Sequence, residues 1–182
     1  MEFKPQDKGL TIVYTGEGKG KTTAALGLAL RAAGYKRKVL IIQFGKFWFT
    51  GEIEAIKKLK PYVKLIQGGK GFVKFMNDKL PIEDHQKAAT DSYNILYEQL
   101  ISGKWDVVIA DEVVGAVAGE MLTEKQLIDL IDAKPEQVDL VLTGHHADRF
   151  PAILAKADMA TEMKAIKHPY DQGFLAKPGI DY

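Results

Sequence analysis

Residues 15–23 read Thr-Gly-Glu-Gly-Lys-Gly-Lys-Thr-Thr, between an apolar run at 10–14 and an alanine-rich stretch at 24–33. A strand, a glycine-rich turn and a helix in that order build a phosphate cradle. The glycines let the backbone curl so that amide N–H groups point inward, and the helix N-terminus adds its positive dipole. On this reading Gly16, Glu17, Gly18, Lys19, Gly20, Lys21, Thr22 and Thr23 hold phosphate, with Lys21 reaching its oxygens and the Thr22 hydroxyl available to Mg²⁺. The usual spacing G-x-x-x-x-G-K-[ST] asks for glycine where this chain has Thr15; Gly16 takes that part, so the loop is one residue tighter. Glycine-rich turns also occur for purely structural reasons. Alternating glycines followed by Lys-Thr-Thr, between strand and helix, point instead to a nucleoside triphosphate.

A pair of carboxylates, Asp111 and Glu112, follows the apolar run Val-Val-Ile-Ala at 107–110. Acidic residues at a strand end often only cap the next helix. Beside a phosphate cradle they stand where Mg²⁺-ordering carboxylates are found, so Thr22, Asp111 and Glu112 are the expected metal set. The residues alone lead to a Mg²⁺–nucleotide protein. In a hydrolase Glu112 would act as the base for water, and in a non-catalytic module ATP would only order the fold.

These groups need a scaffold that brings distant loops together. Apolar runs at 10–15, 38–44, 62–67, 105–110, 138–143 and 158–163 predict six strands. Helical patterns separate them at 22–33 (with Gly34 as the stop), 52–60 (closed by Pro61), 82–102, 124–133 (with Thr123 and Gln126 as a capping box) and 149–157 (Pro151 in its first turn). Alternating strands and helices predict an α/β fold of P-loop type: a mostly parallel sheet of about six strands with helices on both faces. Residues 164–182 read as an irregular tail, and with no repeat or linker the whole of 1–182 is expected to form one domain. In such sheets ligands bind outside the C-terminal strand ends. The chemistry should therefore gather at 15–22, 43–51, 68–78, 111–112 and 143–146.

Composition is consistent with this. The 182 residues suffice for one α/β core. A formal net charge of +1 gives no basic field for nucleic acid, and zero cysteines exclude disulfides and thiolate metal sites. No apolar stretch reaches the ~18 residues of a membrane span, and residues 1–8 lack a signal-peptide core, so a cytoplasmic protein is expected.

Larger stretches of the chain resemble the ATP:corrinoid adenosyltransferases, a P-loop family that converts cob(I)alamin and its precursors to the adenosyl form. The resemblance runs from about 10 to 182. It rests on TGEGKGKTTAALGLALRAAG, on VLIIQFGK, on Gly71-Phe72, on IADEVVGAVAGEML, and above all on the tail ADMATEMKAIKHPYDQGFLAKPGIDY. The tail matches K-H-P-[FY]-x-x-G-x-x-A-x-x-G-I-[DE], which ATPases and kinases lack. The resemblance implies transfer of the 5′-deoxyadenosyl group of ATP to Co(I) of a corrinoid, with release of triphosphate and no protein base. It makes Lys21 and Glu112 the catalytic residues, ATP and a reduced corrinoid the substrates and Mg²⁺ the cofactor. It further implies an electron donor such as a flavoprotein and a homodimer, although only nine residues precede the first strand here. The alternative is a P-loop ATPase or an ATP-binding paralogue with a different acceptor.

Two positions depart from the family. Its Gly-Phe-Thr-Trp loop, which wedges beneath the corrin, reads Gly71-Phe72-Val73-Lys74-Phe75, so Phe72, Lys74 and Phe75 are the expected corrinoid contacts. The family's Thr-Gly-Arg, whose arginine meets phosphate, reads Thr143-Gly144-His145, leaving His145, or His146 after it, as a weaker, pH-dependent donor to ATP. Elsewhere plainer roles are expected. Trp105 belongs to the core, His85 to a solvated helix surface, His168 to a structural hydrogen bond, and Lys57, Lys58 and Lys60 to a solvated helix face. Phe47, Trp48 and Phe49 suit a flap over the acceptor or a packing surface about equally.

Overall fold

The computed structural model describes residues 8–71 and 80–182. Six strands form one sheet: β1 (Thr11–Thr15), β2 (Val39–Gln43), β3 (Val63–Gln67), β4 (Val107–Asp111), β5 (Asp139–Thr143) and β6 (Met159–Glu162). Their order is β3-β2-β4-β5-β1-β6, and every pairing is parallel.

Period-2 alternation divides the strand side chains between two cores. Val39, Ile41, Val107, Ile109 and Val141 face one side, covered by α1 (Lys21–Gly34) and α2 (Gly51–Lys57). Leu40, Ile42, Val108, Ala110, Leu140 and Leu142 face the other, covered by α3 (Ile82–Leu100), α4 (Val113–Ala118), α5 (Glu124–Asp132) and α6 (Pro151–Ala155). β2 and β4 are buried along their whole length. Each fully buried Val, Ile or Leu contributes about 1.5–3 kcal/mol, so these strands fix the sheet's centre. That rigidity carries over to the loops at their C-terminal ends.

Several predicted elements shift. α1 begins at Lys21, and the left-handed residue beyond it is Lys36 (φ 61°) rather than Gly34. β4 runs to Asp111, so that carboxylate is part of the strand. The helix predicted at 149–157 divides into a 3₁₀ turn, Ala147–Arg149, and the short α6, with Pro151 in its first turn as expected. α4 was not predicted at all. The capping box is present: the Thr123 hydroxyl accepts from the Gln126 amide at 3.2 Å, and Gln126 Oε1 accepts from the Thr123 amide at 2.9 Å. His85 is buried, only 3% exposed, against the expectation of a solvated surface. It sits one helical turn before Ala89 on the stripe that continues to Leu96 and Leu100. Trp105 packs against the core as expected, its indole N–H donating to Gln99 Oε1 at 3.0 Å.

Candidate active site

β1 ends at Thr15, and the loop that follows curls through Gly16 (φ 95°) and Gly20 (φ 123°) into α1. The end of β6 presses on this loop from outside. A Cβ on Gly16 or Gly18 would lie 2.5 or 2.6 Å from the Met163 carbonyl oxygen, so side chains are excluded there by backbone. The contact also corrects the simplest picture of the cradle. The Gly18 N–H does not point inward but donates to Met163 O at 2.6 Å, while Met163 N–H donates to Thr15 O at 2.8 Å.

Lys21 folds back over the loop, its Nζ donating to the carbonyl oxygens of Gly16 (2.6 Å) and Gly18 (2.9 Å). Burial holds its ammonium below lysine's ordinary value, opposed by the nearby Glu112, Glu17 and Asp111 carboxylates. The next residue, Thr22, donates its hydroxyl to Asp111 Oδ1 at 2.8 Å.

Asp111 is the centre of the polar network. Oδ1 also accepts from the Thr143 hydroxyl at 2.8 Å, while Oδ2 accepts from Gln43 Nε2 (3.2 Å) and Lys46 Nζ (3.0 Å). It is 1% exposed, satisfied by four donors: one from α1, one each from the ends of β2 and β5, and one from the loop after β2. Glu112 follows in a left-handed conformation (φ 63°) that turns the chain into α4, with its N–H held by the Thr143 hydroxyl at 2.9 Å. Burial, reinforced by the Asp111 charge, pushes the Glu112 carboxyl up to about 7 against the pull of Lys21 and Lys46. Two adjacent carboxylates repelling each other beside a hydroxyl fit a hard divalent cation, which takes oxygen donors.

Glu17 leans from the loop toward the turn after β5. Its carboxylate lies 3.4 Å from His145 Nδ1 and 3.1 Å from His146 Nδ1. Burial and then Lys21 hold the His145 imidazole below its ordinary value, opposed by Glu17. Lys19 instead pairs with Asp181 of the tail at 3.1 Å. The Nδ1 of His168 accepts from Tyr170 N–H at 3.2 Å, the structural bond expected of it.

Two cavities open onto these residues. One, of about 740 Å³, is walled by Glu17, Gly18, Lys19, Gly20, Lys21, Thr22 and Thr23 on one side and by Ile180, Asp181 and Tyr182 of the tail on the other. A second, of about 390 Å³, lies between Phe44, His85, Ala89, Met121 and Arg149. Glu17, Glu112 and His145 line both. Gly71 stands on the rim of the second cavity, where the chain leaves the described residues. The predicted corrinoid contacts Phe72, Lys74 and Phe75 lie outside the described residues. Phe47 and Phe49 are 66% and 63% exposed, which excludes them from the core, and Phe47 meets Trp48 edge-on at 5.5 Å.

The structure thus gathers Lys21, Thr22, Asp111, Glu112, His145 and His146 at the C-terminal end of the sheet, and adds Gln43, Lys46 and Thr143, to which the sequence alone assigned no role. Their position at strand ends was the available signal; their partners were not.

A strand, glycine-rich loop and helix on a parallel sheet, with carboxylates at the end of β4 one strand removed from β1, define a P-loop-type α/β protein. At the level of fold, the chain is similar to a KaiC-like protein from the hyperthermophilic archaeon Pyrococcus horikoshii OT3, with a TM-score of 0.59 at 14% identity, covering 88% of this chain and 75% of that one. Over residues 7–182 it matches the family described as ATP:corrinoid adenosyltransferase BtuR/CobO/CobP, and it belongs to that family. It is 33% identical over 177 residues to the corrinoid adenosyltransferase of Escherichia coli (strain K12), covering 97% of this chain and 87% of that one. Identity to corrinoid adenosyltransferase CobA of Salmonella typhimurium (strain LT2) is 34% over 178 residues, with the same coverage.

Proposed function

We propose that the protein is an ATP:corrinoid adenosyltransferase that moves the 5′-deoxyadenosyl group of ATP onto Co(I) of a corrinoid. The observation that carries this reading is the pair of cavities sharing Glu17, Glu112 and His145, in a chain that matches the family over residues 7–182. One cavity has the phosphate cradle and the other is an acceptor chamber.

The substrate cobalt is the nucleophile. Its electron pair forms the bond to ribose C5′, the C5′–O bond breaks, and that pair leaves on triphosphate, so no side chain needs to take a proton. The protein's work is to orient C5′ and stabilise the leaving anion. Lys21 supplies charge to the phosphates once it leaves the Gly16 and Gly18 carbonyls, and the amides of the loop other than that of Gly18 supply hydrogen bonds. Mg²⁺ held by Thr22 with Asp111 and Glu112 would neutralise triphosphate charge. His145 faces the junction where the two substrates meet, and Phe72, Lys74 and Phe75 follow the rim residue Gly71 as corrinoid contacts.

The reaction consumes Co(I), so an external electron donor such as a flavoprotein is part of this reading. A cytoplasmic site agrees with the absence of cysteine and with there being no helix, among the described residues, long and apolar enough to cross a membrane. A homodimer is supported by the exposed Ile166, Phe174 and Leu175 of the tail. A single domain over 1–182 is supported by the one sheet.

The test supplies ATP, Mg²⁺ and chemically reduced cob(I)alamin or cobinamide. A light-sensitive cobalt–carbon product with stoichiometric triphosphate is expected. Phosphate release without corrinoid would favour the hydrolase reading, and absence of any alkylated product would leave an ATP-binding paralogue.

A further inference from the structure

Lys46 closes the segment Val-Leu-Ile-Ile-Gln-Phe-Gly-Lys, and neither the phosphate loop nor the expected cation set includes it. It stands in the loop after β2, its side chain only 13% exposed, with Nζ 3.0 Å from Asp111 Oδ2 and 4.0 Å from Glu52 Oε1. A lysine this deeply covered normally answers a carboxylate that would otherwise be unpaired. Asp111 is not in that position, because Thr22, Thr143 and Gln43 already donate to it. Glu52 is likewise held, by Gln43 Nε2 at 3.0 Å. The ammonium is therefore surplus to the network's hydrogen-bonding needs. It also lines the cavity of the phosphate cradle, with Lys21, Thr22 and Glu112.

The charge balance of the site gives that surplus a use. His145, on the turn after β5, faces Glu17. Lys19 is paired with Asp181. Lys21 and Lys46 are thus the cradle cations whose present partners lie inside the cavity wall, on loop carbonyls and on Asp111.

We propose that Lys46 is a second triphosphate-binding lysine, held on Asp111 in the empty site and transferred to the phosphate oxygens when nucleotide and divalent cation arrive. The cation set of Thr22, Asp111 and Glu112 cannot accept a divalent ion at full strength while an ammonium neutralises Asp111. Moving that ammonium outward relieves the repulsion and puts a positive charge on the leaving group. The inference rests on the adenosyltransferase reading for the identity of the leaving group, but its test does not require a corrinoid.

Inorganic triphosphate is titrated calorimetrically, with Mg²⁺, into the wild type, Lys46→Met and Lys46→Arg. Lys46→Met should lose at least about tenfold in affinity, and Lys46→Arg should stay within about threefold of the wild type. Adenosine, which carries no phosphate, should bind all three equally. Unchanged triphosphate affinity in a folded Lys46→Met protein would overturn the proposal and leave Lys46 a structural counter-ion. If Lys46→Met does not fold, Lys46→Gln keeps a donor for Asp111 without the charge; the same loss of affinity is expected, and its absence overturns the proposal. The two readings fail separately. Lys46-dependent triphosphate binding without adenosyl transfer sinks only the transferase, whereas adenosyl transfer with Lys46-independent binding sinks only this inference.

Discussion

The Thr22 hydroxyl and the Asp111 carboxylate, 89 residues apart in sequence, meet at 2.8 Å across the end of the sheet. This bond joins the first turn of α1 to the last residue of β4, and so couples the glycine-rich loop to the acidic pair. Thr22→Val removes it, together with the hydroxyl proposed as a cation donor. Asp111 keeps three other donors, so apo stability should fall by only about 0.5–1.5 kcal/mol. Affinity for ATP should fall at least about tenfold with Mg²⁺ and change little with EDTA. Equal loss under both conditions would show that Thr22 serves the fold rather than a cation.

Lys21→Ala removes the cation nearest the loop. A charge-assisted phosphate contact contributes about 1.5–3 kcal/mol, so calorimetric ATP affinity should fall by roughly ten- to 150-fold. Unaltered affinity would sink the phosphate-cradle assignment. Adenosyl transfer should fall further than affinity, because leaving-group charge is greatest in the transition state.

Glu112 makes a prediction about pH. Its carboxyl, ordinarily near 4.5, is pushed up to about 7 in the folded chain, so the fold favours the protonated form. The sign follows: this contribution to stability is fully present below the ordinary value and is lost as pH rises through about 7. Glu112→Gln should therefore stabilise the nucleotide-free protein at pH 8.5 by about 1–3 kcal/mol and hardly at all at pH 4.5. Adenosyl transfer should weaken at both. Melting curves across that range would decide it, and a stabilisation independent of pH would refute the linkage.

Much of this site was legible in the sequence because strands buried on both faces leave long apolar runs. Val39–Gln43 and Val107–Asp111 stand where such runs placed them. The glycine-rich loop and the Asp-Glu pair then fall at strand ends by topology alone. α4 was not legible, since Val-Val-Gly-Ala-Val-Ala carries β-branched residues and a glycine that favour strand or loop. It is a helix because Glu112 turns the chain in a left-handed conformation and Val113, Val114 and Val117 then pack into the core. Lys46 and Thr143 fall inside the strand-end segments 43–51 and 143–146, but their individual roles were not legible there. Their roles are set by partners 65 and 32 residues away, which no local pattern encodes.

Gly18 tests the coupling between the tail and the loop. A Cβ there meets the Met163 carbonyl at 2.6 Å, and because both partners are backbone neither can swing aside. Gly18→Ala should force β6 away from the loop, costing about 1–3 kcal/mol and lowering ATP affinity with it. Gly27, on α1 with nothing within 4 Å, is the control: Gly27→Ala should stabilise by about 0.5–1 kcal/mol and leave affinity unchanged. Equal behaviour of the two variants would mean that the Met163 contact has no bearing on the cradle.

His145 stands where the family resemblance leads one to expect arginine, and its proton should be visible in binding. Burial and Lys21 keep the imidazole below its ordinary value of 6.5, so it is uncharged at pH 7.5. In the free protein its contribution to stability is full above 6.5 and is lost as pH falls through the lowered folded value. Bound phosphate reverses the preference, since an anion favours the imidazolium. Binding ATP near pH 7 should therefore take up protons, and calorimetry in buffers of different ionisation enthalpy reads that uptake directly. His145→Arg should abolish it and tighten ATP at pH 8 by about tenfold, the gain of a permanent charge. His146 also faces Glu17, so His146→Gln is needed beside it and should retain the uptake. Binding with no proton uptake, and no gain from arginine, would place His145 outside the phosphate site and leave it a partner of Glu17.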